Sequence, residues 1–349
     1  AGPFYFLGPD YTERREFTAA STYNPSTEFA QSMVNFAHDF TGDGWPDMLV
    51  VVKRPVWLYV NPKGEPRRWD RFEVIANQTT EITLLKDIDG DGNPELIFGG
   101  DGVIAYAKPG AAGPTAPWEI HAISEKVGRV NPHGLGVGDI NGDGRPDILN
   151  STGWWEQPAD LHSVHLWRFH AASFGRGGAE MGVYDVNGDG LNDVVTALSA
   201  HGLGLAWFEQ KRGKGEEPEF VEHRIMGDFS TPNAGNVTFS EPHGANFADI
   251  DGDGIPDLIV GKRHFSHLDS HLDPDPNGAA VLYWYRTVRD KNAPGGARFE
   301  PELIHNRSGV GSHFETTDID GDGVLDIVTS TNRGTFIFWG IRKKTRGAN

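Results

Sequence analysis

Six nine-residue stretches follow the pattern D-x-[DNT]-G-D-G-x-x-[DE]: Asp39–Asp47, Asp87–Glu95, Asp139–Asp147, Asp185–Asp193, Asp249–Asp257 and Asp318–Asp326. Oxygen donors recur at positions 1, 3, 5 and 9. They are Asp39, Asp43 and Asp47; Asp87, Asp89, Asp91 and Glu95; Asp139, Asn141, Asp143 and Asp147. The later copies hold Asp185, Asn187, Asp189 and Asp193; Asp249, Asp251, Asp253 and Asp257; Asp318, Asp320, Asp322 and Asp326. Hard oxygen ligands at this spacing suit Ca²⁺, which takes 6–8 of them. An EF-hand would place its last acid at position 12 and continue as a helix. Here the closing acid stands at 9 and an apolar, strand-like run follows, so EF-hand is rejected. Loop one carries Thr41 at position 3 and is expected to bind most weakly.

Charge supports the same chemistry. The chain has a formal net charge of −18, and twenty-one acidic side chains lie in the six loops. Six bound Ca²⁺ ions would bring the net charge to about −6, so most of the acidity is internal ligand. An acidic chain is a poor partner for a nucleic-acid backbone or an anionic membrane. With no Cys, disulfides, thiolate metal sites and cysteine nucleophiles are excluded. No apolar run approaches a membrane span, and the first ten residues lack a signal-peptide pattern. A secreted or periplasmic location and a monomer are the expectations.

A second set of residues sits just ahead of the loops. His133, His243 and Glu81 stand six residues before the first Asp of their loops, and His313 and Glu180 stand five before theirs. Such a set is a candidate ligand ring for Zn²⁺ or another divalent transition metal, because imidazole and carboxylate with an open position suit it. The one-residue register difference could turn His313 or Glu180 away. Near the same end stand His201, Lys262-Arg263-His264 and Trp154-Trp155-Glu156. Aromatic faces with charged groups suit sugars; interblade packing is the alternative for Trp154 or Trp155. His38, His121 and His170 read as structural, and His162, His165, His223 and His305 as surface residues. His267 and His271, beside Asp269 and Asp273, read as a solvated loop.

The elements that must position these groups are strands. Each loop is followed by an apolar run, then an aromatic one (VWLYVNP, GVIAYAKP, GWWEQP, GLAWFEQ, VLYWYR, GTFIFWG), then an alternating one. The 349 residues show no sustained helical periodicity. Four-strand units with loop spacings of 46–69 residues read as an all-β propeller of six blades in a single domain over residues 1–349. Each blade would have four antiparallel strands and one calcium loop. Arg14–Ala20 is expected to close the last blade, which lacks an outer strand. Seven blades is the alternative, since Pro3–Leu7 is unassigned. The wide spacings predict loop insertions at Met226–Pro242 and Phe265–Gly278.

Loops and strands together resemble the FG-GAP/VCBS repeat family, whose members form Ca²⁺-bearing propellers. A narrower resemblance rests on HGLGVGDINGDGRPDILNSTGWWEQP, AHGLGLAWFEQ, PHGANFADIDGDG and GKRHF…LYWYR. These look like the propeller of aldos-2-ulose dehydratase and related secreted bacterial proteins. That resemblance implies a zinc-containing propeller eliminating water from keto-sugars, with His133, Trp154, Glu156, His201, His243, Lys262 and Arg263 as the positions carried over.

The leading expectation is therefore a lyase or dehydratase performing β-elimination on a keto-sugar or keto-glycoside. His201 would be the base, Lys262 or Arg263 the oxyanion stabiliser, and Glu156 and Trp154 would face the sugar. The alternatives are a non-catalytic glycan- or protein-binding propeller and a polysaccharide lyase. No G-x-S-x-G, H-E-x-x-H or phosphate-loop motif is present.

Overall fold

The structure is a computed structural model that describes residues 2–24, 28, 30, 32–52, 54–126, 130–213, 217–265 and 272–342. It is an all-β chain of small antiparallel sheets in a propeller-like arrangement. A hairpin of β1 (Phe4–Leu7) and β2 (Glu13–Glu16) comes first. The first unit is β3 (Val34–His38), β4 (Asp47–Val51), β5 (Val56–Val60) and β6 (Asp70–Ile75). The second is β7 (Leu84–Lys86), β8 (Glu95–Gly100), β9 (Val103–Lys108) and β10 (Glu119–Ala122). The third is β11 (Leu135–Gly138), β12 (Asp147–Asn150), β13 (Gly153–Glu156) and β14 (Arg168–Ala171). The fourth is β15 (Glu180–Tyr184), β16 (Asp193–Ala197), β17 (Leu205–Arg212) and β18 (Pro218–Met226). The fifth is β19 (Pro242–Ala248), β20 (Asp257–Lys262), β21 (Leu282–Arg289) and β22 (Ala297–His305), and the sixth is β23 (Phe314–Thr317), β24 (Asp326–Thr331) and β25 (Gly334–Phe338).

Strand alternation decides which neighbour each unit touches. In β12, Ile148 packs with Ile97 and Tyr106 of the second unit, while the adjacent Leu149 packs with Val194 and Ala206 of the fourth. In β20, Leu258 meets Val195 and Trp207 of the fourth unit, and Ile259 meets Phe314 and Ile327 of the sixth. The core thus consists of seams between successive sheets. First strands approach one another at the centre: β11 runs parallel to β15, with Leu135 opposite Glu180 and Gly136 opposite Met181. A Cβ on Gly136 would stand 2.5 Å from the Met181 carbonyl oxygen, so only glycine permits that approach.

Two expectations are corrected. Arg14–Ala20 does not pair with the last sheet: Glu13–Glu16 pairs with Phe4–Leu7, and β23–β25 form a three-stranded sheet among the described residues. Pro3–Leu7, left open for a seventh blade, contributes β1 of the same hairpin. The hairpin region instead works as a wedge. Phe17 and Tyr5 pack on Val50, Tyr59 and Trp69 of the first unit, and Tyr11 Oη donates to the Ile319 carbonyl of the sixth at 2.6 Å. The first insertion contains a short 3₁₀ turn, Ala234–Asn236. His267, Asp269 and His271 of the second lie outside the described residues.

Candidate functional site

The six acidic loops share one local construction. In loop two, Asp87 takes the Gly90 N–H on Oδ1 at 2.8 Å and the Gly92 N–H on Oδ2 at 2.9 Å. The turn works because Gly90 and Gly92 have φ of 78° and 88°, a region costly to other residues. The closing acid is buried in every loop: Asp47, Glu95, Asp147, Asp193, Asp257 and Asp326. In loop three Asp147 accepts from Ile140 N within the loop and from Gln157 N beyond the third strand, both at 2.9 Å. One acid therefore ties the loop to its own sheet.

Burial pushes Glu95, Asp147 and Asp193 up to about 7 and Asp257 up to about 6. Backbone N–H groups only partly offset it. The Glu95 Oε1 is buried with no hydrogen-bond partner. Such carboxylates fit a cation. Position-1, -3 and -9 acids converge within 4.8 Å in loops two (Asp87, Asp89, Glu95), five (Asp249, Asp251, Asp257) and six (Asp318, Asp320, Asp326). Loops one, three and four carry Thr41, Asn141 and Asn187 at the third position.

A different donor set forms at the centre. Glu81, His133, His201 and His243 each offer one atom, and these atoms lie within 4.8 Å of one another. Three residues immediately precede or begin the first strands of units two, three and five, and His201 follows the second strand of unit four. The His133 and His201 Nε2 atoms are 3.1 Å apart. Glu81 Oε2 lies 3.7 Å from His133 Nε2 and 3.4 Å from His243 Nε2. His201 Nδ1 meets Glu241 Oε2 at 2.9 Å. A carboxylate there holds the proton on Nδ1 and leaves the Nε2 lone pair facing inward, as a metal ligand requires.

Arg263 adds the positive charge. Its Nη1 donates to Glu81 Oε2 at 3.0 Å and lies 2.7 Å from His243 Nε2. Burial would raise the Glu81 carboxyl, but hydrogen bonds with His133 and His243 and the Arg263 charge hold it well below the usual carboxylate range. His243 is fully buried, and burial together with Arg263 holds its imidazole far below the ordinary value. A neutral imidazole is the ligating form. Three nitrogens and a carboxylate oxygen are a donor set that could hold a transition-metal ion.

The remaining predicted residues are dispersed. His313 Nε2 bonds Glu315 Oε1 at 2.8 Å and its ring faces Phe36. Glu180 is 3.9 Å from Lys86 Nζ. Neither belongs to a metal-capable group among the described residues. The five-residue offset turns both onto another part of the first strands. Lys262 is fully buried with Nζ on Asp273 Oδ2 at 2.6 Å and Ser240 Oγ at 2.5 Å, away from Arg263's partners. Trp154 is buried in the seam between units three and four and stacks on His170 at 4.0 Å. Glu156 Oε2 bonds His170 Nε2 at 2.9 Å. These two therefore form part of an outer-strand structural set.

Sequence reasoning missed Glu241 and Glu315. Each is an acid two residues from a first-strand histidine, which is the signal available in retrospect. Glu241 has φ of 57°, and its carbonyl accepts from both His243 N and Arg263 N.

Residues 87–149 and 185–260 match the FG-GAP-like repeat. No curated protein matches the chain. Among solved structures, an Agrocybe aegerita lectin described as recognising non-reducing terminal N-acetylglucosamine aligns with a TM-score of 0.53 and 17% identity, covering 88% of this chain and 76% of the lectin. The Photorhabdus luminescens Tc holotoxin pore aligns at 0.44 and 18%, over 90% of this chain and 14% of that one. The V. cholerae biofilm matrix protein Bap1 aligns at 0.39 and 10%, over 92% and 90%. None of these carries the narrower dehydratase resemblance. The stretches that carry loops two to five thus match the FG-GAP-like repeat, and the sheets they form stand in a propeller-like arrangement.

Proposed function

We propose that this protein is a calcium-bearing, six-bladed carbohydrate-binding propeller whose ligand site is the mouth formed by Glu81, His133, His201 and His243. The observation that carries the reading is the convergence of these four donors, drawn from four units, within 4.8 Å. A transition-metal ion held there would supply a Lewis-acidic position for oxygen ligands such as vicinal hydroxyls. Arg263, bonded to Glu81, brings a second donor for a sugar oxygen to the same place. Glu241 orients His201. The fold likeness to a lectin supports binding over catalysis. Export, with a monomeric chain, belongs to the same reading.

The test is a glycan array probed with purified protein of known metal content. Binding is expected to require the transition metal and to be lost in His243→Ala with calcium content retained. Binding indifferent to both changes would overturn the reading.

One observation favours the elimination chemistry as a second reading. His201 is oriented by the buried carboxylate of Glu241, an arrangement suited to proton abstraction. Incubation with 3-keto-glycosides, followed by ultraviolet detection of enone, checks it. No enone from either the metal-loaded or the metal-free protein would leave binding as the function.

A further inference from the structure

A cavity of about 590 Å³ opens between the second and third units, a size suited to small organic ligands. Its apolar walls are Ile104, Val130, Trp155, Leu166, Trp167 and Phe169. Trp155 and Trp167 are buried at 5% exposure, whereas Leu166 and Phe169 are 45% exposed and form the rim. The Trp155 and Phe169 rings lie 4.9 Å apart and are tilted by 44°. The wall is thus aromatic at depth and at the entrance.

The polar groups lining the cavity are largely engaged. Ser124 Oγ accepts from Ile104 N and donates to the Glu125 carbonyl, both at 2.9 Å. Asn131 Oδ1 accepts from His133 N at 3.2 Å, while its Nδ2 donates to Arg176 O at 2.8 Å. Asn150 Oδ1 takes both the N–H and the hydroxyl of Thr152 at 2.8 Å. Among the described residues that line the space there is no Lys, Arg or His, and Glu125 supplies a carboxylate.

These facts narrow the ligand. A sugar ring would bury hydroxyls against atoms already bonded, and each unpaired polar group carries a desolvation penalty. An anion would meet the Glu125 carboxylate, and the described lining residues include no cation to offset it. A flat, uncharged aromatic ring needs only apolar contact and ring-edge packing, both present here.

We propose that this cavity binds an uncharged aryl group. None of the four mouth donors lines the cavity, and its aryl specificity is independent of whether that mouth takes sugar. Asn131 joins the two, because it lines the cavity and holds the backbone of His133.

Saturation-transfer NMR with phenyl β-glucoside and methyl β-glucoside tests the proposal, using wild type, Leu166→Asp and Phe169→Ser. The phenyl protons of the first probe are expected to receive most of the saturation in wild type. That transfer should be lost in both variants while their melting curves remain cooperative. Leu166 lies on an exposed segment ahead of β14, so Leu166→Asp decides if Phe169→Ser fails to fold. Absence of phenyl saturation, dominance of sugar protons, or phenyl transfer unchanged in the variants would each overturn the proposal.

Discussion

The Nε2 atoms of His133 and His201 face one another at 3.1 Å across two successive units, 68 residues apart in sequence. Tetrahedral zinc with Zn–N bonds of about 2.0–2.1 Å sets its ligand nitrogens about 3.3–3.5 Å apart. The pair is therefore close to the spacing of two ligands on one ion. Glu241 fixes the tautomer of His201 that such binding needs.

The first prediction follows directly. Purified protein should contain about one equivalent of transition metal, a stoichiometry set by one four-donor group. His133→Ala, His201→Ala and His243→Ala should each remove it and leave calcium in place. His313→Ala should retain it, because His313 pairs with Glu315 instead. Elemental analysis of the four variants decides. Equal metal loss in His313→Ala would show that the centre has a different composition.

The calcium loops make a separate prediction. Asp253 Oδ1 accepts from Ile255 N at 2.9 Å, and Asp43 Oδ1 from Trp45 N at 3.0 Å. The local hydrogen bond lost on replacement by Ala is thus the same in both loops. Loop five has three converging acids, whereas Thr41 interrupts loop one. Melting in calcium and in EGTA should show Asp253→Ala losing more of the calcium-dependent stabilisation than Asp43→Ala. An ion at 1,000 times its dissociation constant contributes about 4 kcal/mol. Equal losses would contradict the ranking.

The Lys262–Asp273 pair predicts an acid-sensitive contribution to stability. Burial would raise the Asp273 carboxyl, but the hydrogen bond and charge of Lys262 and the Ser240 hydroxyl hold it below its ordinary 3.8. A depressed carboxyl stabilises the fold above 3.8, and this contribution is lost as pH falls through its lower folded value. Wild type should therefore lose a component of stability below about pH 4 that Asp273→Asn lacks. Lys262→Met should cost about 3–5 kcal/mol by leaving a buried charge alone. Urea titrations from pH 3 to 7 measure both effects. Parallel profiles for wild type and Asp273→Asn would contradict the assignment.

Trp154 separates structural from ligand-contacting aromatics. It fills the seam between units three and four and stacks on His170. Trp154→Ala should cost about 3–5 kcal/mol through cavity formation, with transition-metal content unchanged. Chemical denaturation and elemental analysis on the same sample check it. A stability-neutral variant that lost its ligand would restore a direct binding role.

What the chain determined by itself is local. Each acidic loop closes within nine residues, so pattern alone identified its donors, its glycine turns and the strand that follows. Strand alternation likewise exposed the two packing faces, as Ile148 and Leu149 show by meeting opposite neighbours. Glu81, His133 and His243 were legible because all three stand six residues before their loops, and equivalent registers point to one place. Tertiary structure decided the rest. His201 lies after a second strand, and only the approach of units three and four brings it to His133. His313 stands one residue out of register and meets Glu315 and Phe36 instead. Lys262 and Arg263 are adjacent in sequence, but alternation sends one to Asp273 and the other to Glu81. The N-terminal strand likewise found its partner in its own hairpin, because contacts between distant segments depend on how the units pack around the centre.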